Sequence, residues 1–357
     1  MKGVAALLAV SFSICCGACD MPKPIKQEET KAVSELTKDL TARCVGRFVV
    51  DVPSDVMTFG NAKLRGVTVD STPMTEEQFT RNMSQTEADL KAAKSVLGYQ
   101  FLFDHGKGPV ERSMFFIHLK GVEEPGDSSR VIDAYKWHNG FRLKLQIEAS
   151  DFTKSKMKDA PSVKKMAIQN DVPAKASVVF DMLRLIQGRA ENDIPLKPGV
   201  CFLGGFLPGV ATSEENVSTQ FVIRGKPDVS LFLETDADIH EETTLLQRGR
   251  EIDAMLSNTD GGRTIRKGPV GLEGLQGEEW LMAGLSPLNV QGQSFMFEAN
   301  SKIGSAQTPL LGFKMHNGWG SRALDVPSIK EASLTENEAV ALWDAVSRTL
   351  RPRSNGF

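Results

Sequence analysis

The sequence predicts an α+β protein of two similar domains, each a mainly antiparallel sheet with helices packed on one face, arising by duplication. Three observations carry this reading. Landmarks recur in the same order in both halves: Cys44-Val45-Gly46-Arg47-Phe48-Val49 and Cys201-Phe202-Leu203-Gly204-Gly205-Phe206, then Lys107-Gly108-Pro109-Val110 and Lys267-Gly268-Pro269-Val270, then Phe180-Asp181 and Trp343-Asp344. Their spacing is kept, with 63 residues from Cys44 to Lys107 against 66 from Cys201 to Lys267, and 73 from Lys107 to Phe180 against 76 from Lys267 to Trp343. Self-similarity at a long period marks a repeated unit. Short apolar runs bounded by turn residues cluster between helical stripes without strict alternation, which favours antiparallel sheets over a parallel α/β sheet. Finally, 357 residues with 41% apolar and 24% charged side chains suit a folded chain of two domains of about 150 residues each.

Taken in order, residues 1–19 read as a lipoprotein signal peptide, 20–43 as a polar linker, 44–195 as the N-terminal domain and 196–357 as the C-terminal domain. The boundary falls at 192–198, where Asn, Asp and two prolines interrupt the apolar pattern. Within the linker, 31–40 suits a short helix. The first domain opens with a strand from Cys44 that ends at Pro53. Thr75 and Gln78 then form a capping box ahead of a stripe of Phe79, Met83, Leu90 and Leu97. Strands follow over 114–119, 131–137 and 142–149, the last two joined at His138-Asn139-Gly140, because Asn-Gly between apolar runs is a strong hairpin signal. The second domain repeats the plan with a strand from Cys201 to Pro208 and others over 217–223, 229–234, 279–283, 294–299 and 310–315. His316-Asn317-Gly318 repeats the turn. One helix carries Leu245, Gly249, Ile252 and Met255 or Leu256. The closing helix has a second capping box, Thr335 with Glu338, a stripe of Ala339, Trp343, Val346 and Leu350, and a stop at Pro352.

The first residues bear on compartment. Lys2, an apolar run over 4–14 and Cys16-Gly17-Ala18-Cys19 follow the grammar of a secretory signal, with an apolar stretch too short for a permanent membrane helix. Gly17-Ala18-Cys19 resembles a bacterial lipobox, which makes Cys19 the expected lipidation site, with Cys16 standing where leucine is usual. Acyl chains there would anchor the protein to the membrane. Asp20 resembles an inner-membrane retention signal, so a lipid-anchored periplasmic location is expected. An oxidising periplasm permits a disulfide between the two later cysteines, Cys44 and Cys201, though two separately buried thiols fit the sequence equally well.

Chemistry is harder to find. A net charge of −3 gives no excess of Lys and Arg for nucleic-acid phosphates. After removal of the signal no Cys-x-x-Cys remains, and no His-Glu-x-x-His occurs, so no metal site is expected. No Gly-x-Ser-x-Gly elbow occurs, and Gly126-Asp127-Ser128-Ser129 lies in an acidic loop and reads as a solvated turn. The five histidines are scattered, and the carboxylate pairs are sequence neighbours rather than a tuned acid and base. Neither a catalytic group nor a cofactor or small-molecule substrate is expected.

The opening Cys44-Val45-Gly46-Arg47-Phe48-Val49-Val50-Asp51-Val52-Pro53 resembles that of the immunity proteins cognate to class-four lipase effectors of the type VI secretion system, Cys-x-Gly-Arg-aromatic-x-x-Asp-apolar-Pro. Gly199-Val200-Cys201-Phe202 is similar to the start of that family's C-terminal domain. The resemblance spans nearly the whole mature chain. It implies a two-lobed clamp that binds and inhibits a phospholipase effector delivered to the periplasm, blocking its active-site entrance or lid movement. The alternative is a cell-envelope lipoprotein with a structural or small-ligand-binding role. The residues that give the resemblance are strand, turn and core positions. The candidate partner-binding residues are therefore drawn from acidic loops: Glu123, Glu124 and Asp127 in the first lobe, and Glu234, Asp236, Asp238 and Glu241 in the second. Complementary charge at such positions sets association rate and specificity.

Overall fold

The computed structural model describes residues 27–321, 324 and 328–357. The signal peptide, Cys19 and Asp20 lie outside the described residues. Helix α1 (Gln27–Thr37) precedes a hairpin of β1 (Leu40–Val45) and β2 (Phe48–Pro53), so the linker expected over 20–43 ends in ordered structure. Leu36 and Leu40 pack against the core, which is why the chain is held here. The first half continues with β3 (Val56–Leu64), β4 (Val67–Pro73), α2 (Glu76–Ala92), β5 (Leu102–Lys107), β6 (Ser113–His118), β7 (Ser129–His138), β8 (Phe141–Ser150), α3 (Pro161–Lys164), α4 (Val172–Leu185) and β9 (Gln187–Gly188). The second half has a hairpin of β10 (Gly199–Phe202) and β11 (Gly205–Pro208), then β12 (Glu215–Ile223), β13 (Val229–Asp236), α5 (Gly249–Ser257), β14 (Arg263–Leu272), β15 (Leu275–Leu285), β16 (Gln291–Ala299), β17 (Leu310–Asn317), α6 (Glu336–Ser347) and β18 (Arg351–Pro352).

Twelve strands form one antiparallel sheet in the order β14-β15-β16-β17-β13-β12-β3-β4-β8-β7-β6-β5. Each half supplies six strands in the same internal order, and they meet where β3 pairs with β12 along their whole length, from Val56↔Ile223 to Leu64↔Glu215. This is an internal twofold with Gly60 opposite Thr219 at its centre. Glycine is required there, because a Cβ on Gly60 would come within 2.8 Å of the Leu203 Cβ. The α+β class and the two similar antiparallel halves are thus as the sequence implies, with the two sheets fused into one.

The halves also exchange their opening hairpins. The β1–β2 hairpin pairs with β18, which follows the closing helix of the second half (Val49↔Arg351). The β10–β11 hairpin pairs with β9, which follows the closing helix of the first (Gly205↔Gly188). Cys44 and Cys201 hold equivalent places in β1 and β10 and are joined by a disulfide, Cα–Cα 5.7 Å. Gly46 and Cys201 exchange backbone hydrogen bonds of 2.8 Å beside it. What the sequence offers as one strand from each cysteine is therefore a hairpin. The turn at Gly46-Arg47 needs φ +58° at Gly46, a conformation open to glycine.

One apolar core runs beneath both halves, from Phe48, Val50 and Val52 to Val179, Leu183, Phe202, Leu281, Phe295, Phe313 and Trp343. In α4, Phe180 meets Phe115 edge-on at 5.2 Å. In α6, Trp343 stacks on Phe313 at 5.3 Å, and Asp344 reaches out to Arg266. Helices α2 and α5 cover the opposite face, with Phe79 and Met83 on Phe116 and Tyr135, and Leu256 on Trp280 and Met282. The alternation is visible within β6, where Phe115 faces one layer and Phe116 the other.

Both capping boxes form as expected, at Thr75 with Gln78 and at Thr335 with Glu338. Helix α2 stops at Ala92, however, and Leu97 is 53% exposed in the following loop instead of extending the helical stripe. The turn at Asn139-Gly140 has φ +50° and +81° and joins β7 to β8. Its apparent repeat at Asn317-Gly318 is no hairpin. The Asn317 amide is fully buried, donates to Leu334 O (2.8 Å) and accepts from Leu334 N (3.1 Å), so it anchors the segment before α6. The repeated Lys-Gly-Pro-Val falls at the two free edges, closing β5 and lying within β14. Proline has no N–H to offer and lysine resists docking, so both edges are blunted against further strand pairing.

Two buried arginines repeat the duplication. Arg189 follows β9 and donates to Asp193 O (2.7 Å) and Ala190 O (3.0 Å); Arg353 follows β18 and donates to Lys197 O (2.8 Å) and Gly199 O (2.5 Å). Burial pushes both guanidiniums down to about 10, so they stay charged at neutral pH and clamp the chain between the halves.

The Cys44–Cys201 link closes a loop spanning 157 positions. Replacing both residues with Ala is expected to lower stability by about 3–5 kcal/mol, read from urea unfolding of the oxidised protein and the double variant.

Candidate partner-binding surface

The seven candidate carboxylates lie in two places. Glu123, Glu124 and Asp127 are in the loop between β6 and β7. Glu234 and Asp236 are in β13, with Asp238 and Glu241 in the loop that follows. Three of the seven already have internal work. Asp127 accepts from the Ser155 hydroxyl and the Lys156 amide (2.9 Å). Burial alone would raise its carboxyl, but these bonds prevail and hold it below the ordinary value. Glu234 pairs with Lys314 on the neighbouring strand at 2.6 Å. Asp236 accepts from the amides of Asp238 (2.8 Å) and Ile239 (3.2 Å) and from the Asn216 side chain, so it shapes the loop. Glu123, Asp238 and Glu241 are exposed and Glu124 half-buried.

The structure adds apolar companions that the sequence reading missed. Around Glu123 stand Val96, Leu97 and Val122, 68%, 53% and 43% exposed. They are brought together by the Val96 amide donating to Val122 O (2.9 Å) and the Tyr99 hydroxyl donating to Pro125 O (3.3 Å). Beneath this loop Arg130, 2% exposed, lies 3.4 Å from the centre of the Phe103 ring and donates to Asp127 O (2.7 Å). Around Asp238 stand Ile239 and Ile303, 47% and 63% exposed. The Glu241 amide donates to Ser301 O (2.6 Å), docking the β16–β17 loop beside them. Each place is thus an apolar patch with an acidic margin, the composition of a contact site with a partner. Hydropathy periodicity could not find these residues, because the stripe of α2 runs into Leu97 without a visible break.

Following the pairings from Asp236 through Asn216, Lys63, Thr68, Gln146 and Asp133 leads to Phe116, two residues before His118 and the first loop. Both patches therefore lie at the same end of the strand rows, six inter-strand steps or about 29 Å apart. Over those steps a twist of about 20–25° each turns the second patch well away from the first. They are two separate apolar patches on one scaffold, and a single molecule touching both would have to wrap around the sheet.

Three of the five histidines are committed to structure. Both ring nitrogens of His118 have partners, Leu119 O at 2.7 Å and Asp133 at 3.5 Å. His138 Nδ1 accepts the Gly188 amide (3.2 Å), and His105 meets Glu87 at 3.3 Å. Ser128, in the acidic loop, has its carbonyl on the Asp151 amide (2.8 Å). Among the described residues no group of three or more His, Cys, Asp or Glu is placed to hold a metal ion, and no helix is long and apolar enough to cross a membrane.

Fold and surface define the class: a duplicated, disulfide-locked α+β protein that exposes apolar, acid-rimmed loops. The chain belongs to the Tle cognate immunity protein 4 family, whose N-terminal domain matches residues 41–189 and whose C-terminal domain matches 193–355. No curated protein matches it in sequence. Among solved structures, the apo immunity protein TplEi of the T6SS from Pseudomonas aeruginosa is 19% identical, with 89% of this chain and 98% of that chain covered and a TM-score of 0.68. The crystal structure of a Tle4–Tli4 complex matches at 18% identity over 90% of this chain and 99% of that chain, TM-score 0.69. TplEi complexed with an "L" peptide matches at 20% identity over 88% and 98%, TM-score 0.62. At these identities the likeness is one of fold.

A fourth histidine gives a pH dependence. His316 stacks on Trp319 at 4.7 Å, and burial, helped by the nearby Lys314 ammonium, pushes its imidazole down to about 4 from 6.5. Above pH 6.5 the ring is neutral in both folded and unfolded chains and its contribution is complete. As pH falls from 6.5 to 4 the unfolded chain binds the proton first, and about 2–3 kcal/mol of stability is lost. His316→Phe keeps the stacking and removes the titration. Its unfolding free energy in urea is expected to fall less than that of the parent between pH 7 and 4.5.

Proposed function

We propose that this protein is a periplasmic immunity protein that binds a phospholipase effector of the type VI secretion system and blocks its active-site entrance or lid movement. The observation that carries the reading is the match of both family domains, in order, to the two halves of the chain. The solved Tle4–Tli4 complex, similar in fold across nearly the whole length, supports a protein partner of this kind. The surface suits it. Two apolar patches on one rigid sheet can grip a partner at separated points, and contact at both would bury more than a standard interface of about 1,600 Å². Exposed apolar side chains supply the affinity, while Glu123, Glu124, Asp238 and Glu241 steer a positively charged counterpart. Inhibition then needs no bond made or broken by the protein's own side chains.

The tether belongs to the same proposal. Lipidation at Cys19 and retention at the inner membrane through Asp20 would place the protein where a phospholipase attacks. Globomycin treatment, which blocks lipoprotein processing, and a Cys19→Ser variant would both leave an unprocessed precursor if Cys19 is the acylated residue.

The direct test is co-expression with a lipase encoded beside this gene and directed to the periplasm. Rescue of growth and recovery of a stable complex are the expected results; unrelieved toxicity with no complex would remove the reading. Within a complex, Leu97→Asp with Val122→Asp, and separately Ile239→Asp with Ile303→Asp, are each expected to weaken binding at least tenfold by calorimetry, with unchanged circular dichroism. Reversing Glu123, Glu124, Asp238 and Glu241 to Lys is expected to slow association and flatten its dependence on salt.

A further inference from the structure

An open cavity of about 780 Å³ lies where the exchanged hairpins cross, bordered by Arg43 on β1, Met57 and Thr58 on β3, Phe141 on β8 and Leu203 in the second hairpin turn. It contains none of the patch residues described above. The internal twofold supplies its counterpart. Arg47 and Gly204 are each the second turn residue of an exchanged hairpin, and Glu215 and Val56 each open a central strand. On the second side, Arg47 is 3% exposed and forks onto Glu215 with two bonds of 2.8 Å. It also donates to Gly209 O at 3.2 Å, within the β11–β12 connection. On the first side Gly204 has no side chain, Val56 has no charge, and only Ser54 and Asp55 connect β2 to β3. The same place in the fold is therefore filled by an arginine–carboxylate pair in one copy and open in the other.

Two arginines, Arg43 and Arg224, stand on the wall of the open copy, and Arg224 is taken by Asp55 at 2.9 Å. The Arg43 side chain is 14% exposed; its buried Nε has no hydrogen-bond partner among the described residues and only a loose ion pair, 3.9 Å long, with Glu191 on the same wall. Buried donors are seldom left unpaired, and a guanidinium matches a carboxylate with two parallel bonds. Phe141, Leu203 and Met57 offer apolar surface beside it. We propose that this cavity is a binding site for small amphipathic monocarboxylates, with the carboxylate on Arg43 and the hydrocarbon against Phe141 and Leu203. The volume falls within the range of small-molecule sites, which favour the junction of two domains. Such a ligand would give Arg43 the close, forked carboxylate that Arg47 has in Glu215, in place of its loose pair with Glu191.

Calorimetric titration of the purified protein with octanoate tests this, with 1-octanol as the uncharged probe. The expected result is saturable binding of one octanoate per chain, at least tenfold weaker binding of octanol, and at least tenfold weaker octanoate binding by Arg43→Gln. Arg65→Gln, altered at the equivalent position to Arg224 on the filled side, should bind as the parent does. Thr58→Trp, which fills the cavity and keeps the arginine, should abolish binding and guards against a folding defect in the Arg43 variant, with circular dichroism as the control. No saturable heat with the parent, or equal octanoate affinity in the parent and in both cavity variants, overturns the proposal.

Discussion

The structure depends on the antiparallel pairing of β3 with β12 at the internal twofold. Without it each half would expose a central strand edge and the apolar surface beside it, and the twelve-stranded sheet would fall into two six-stranded pieces. The exchange of hairpins makes the dependence mutual. The strands that cover α6 come from the first half and those that cover α4 from the second, so neither half completes its core from its own sequence. The disulfide between equivalent cysteines of the two hairpins then ties the crossing point covalently. The chain behaves as two domains in sequence order and as one cooperative body in space.

Symmetry of this kind is kept where packing requires it and lost in the exposed loops. The arginines that follow β9 and β18 do the same work in both copies, because each must satisfy backbone carbonyls at the crossing. Loops obey no such constraint. The first half carries a long acidic β6–β7 loop and the second a long β16–β17 loop, so the two apolar patches fall at unrelated positions of the repeat. The paired Arg47 and Glu215 have no counterpart across the axis. An asymmetric partner is best met by an asymmetric surface, and duplication followed by divergence of loops gives one on a rigid frame.

Much of the frame was legible in the sequence for definite reasons. Capping boxes at Thr75 and Thr335 are local chemistry and fold as written. The aromatic-Asp pair in the closing helices marks one buried and one outward position, seen in Trp343 on Phe313 and Asp344 on Arg266. The recurrent Lys-Gly-Pro-Val marked the repeat, although its meaning as an edge guard emerged only when β5 and β14 were found at the two ends of the sheet. Strands β3, β4, β5 and β14 escaped notice, because their half-exposed pattern carries little apolar signal. Asn317-Gly318 misled, since the same dipeptide that turns a hairpin at 139–140 here spends its amide on Leu334.

By itself, the sequence determined that the chain is duplicated, α+β and antiparallel, since period, capping and turn chemistry act over a few residues and survive any arrangement of the halves. It also carried the family resemblance, through short motifs of strand and turn. Only the tertiary structure decided that the two sheets are one, that the hairpins are exchanged, and that Cys44 meets Cys201. It alone gathered Val96, Leu97 and Val122 beside Glu123, and Ile239 with Ile303 beside Asp238, while withdrawing Asp127, Glu234 and Asp236 into internal bonds. Contacts between residues far apart in sequence depend on how surfaces fit once chain entropy has been overcome, and no local pattern encodes that.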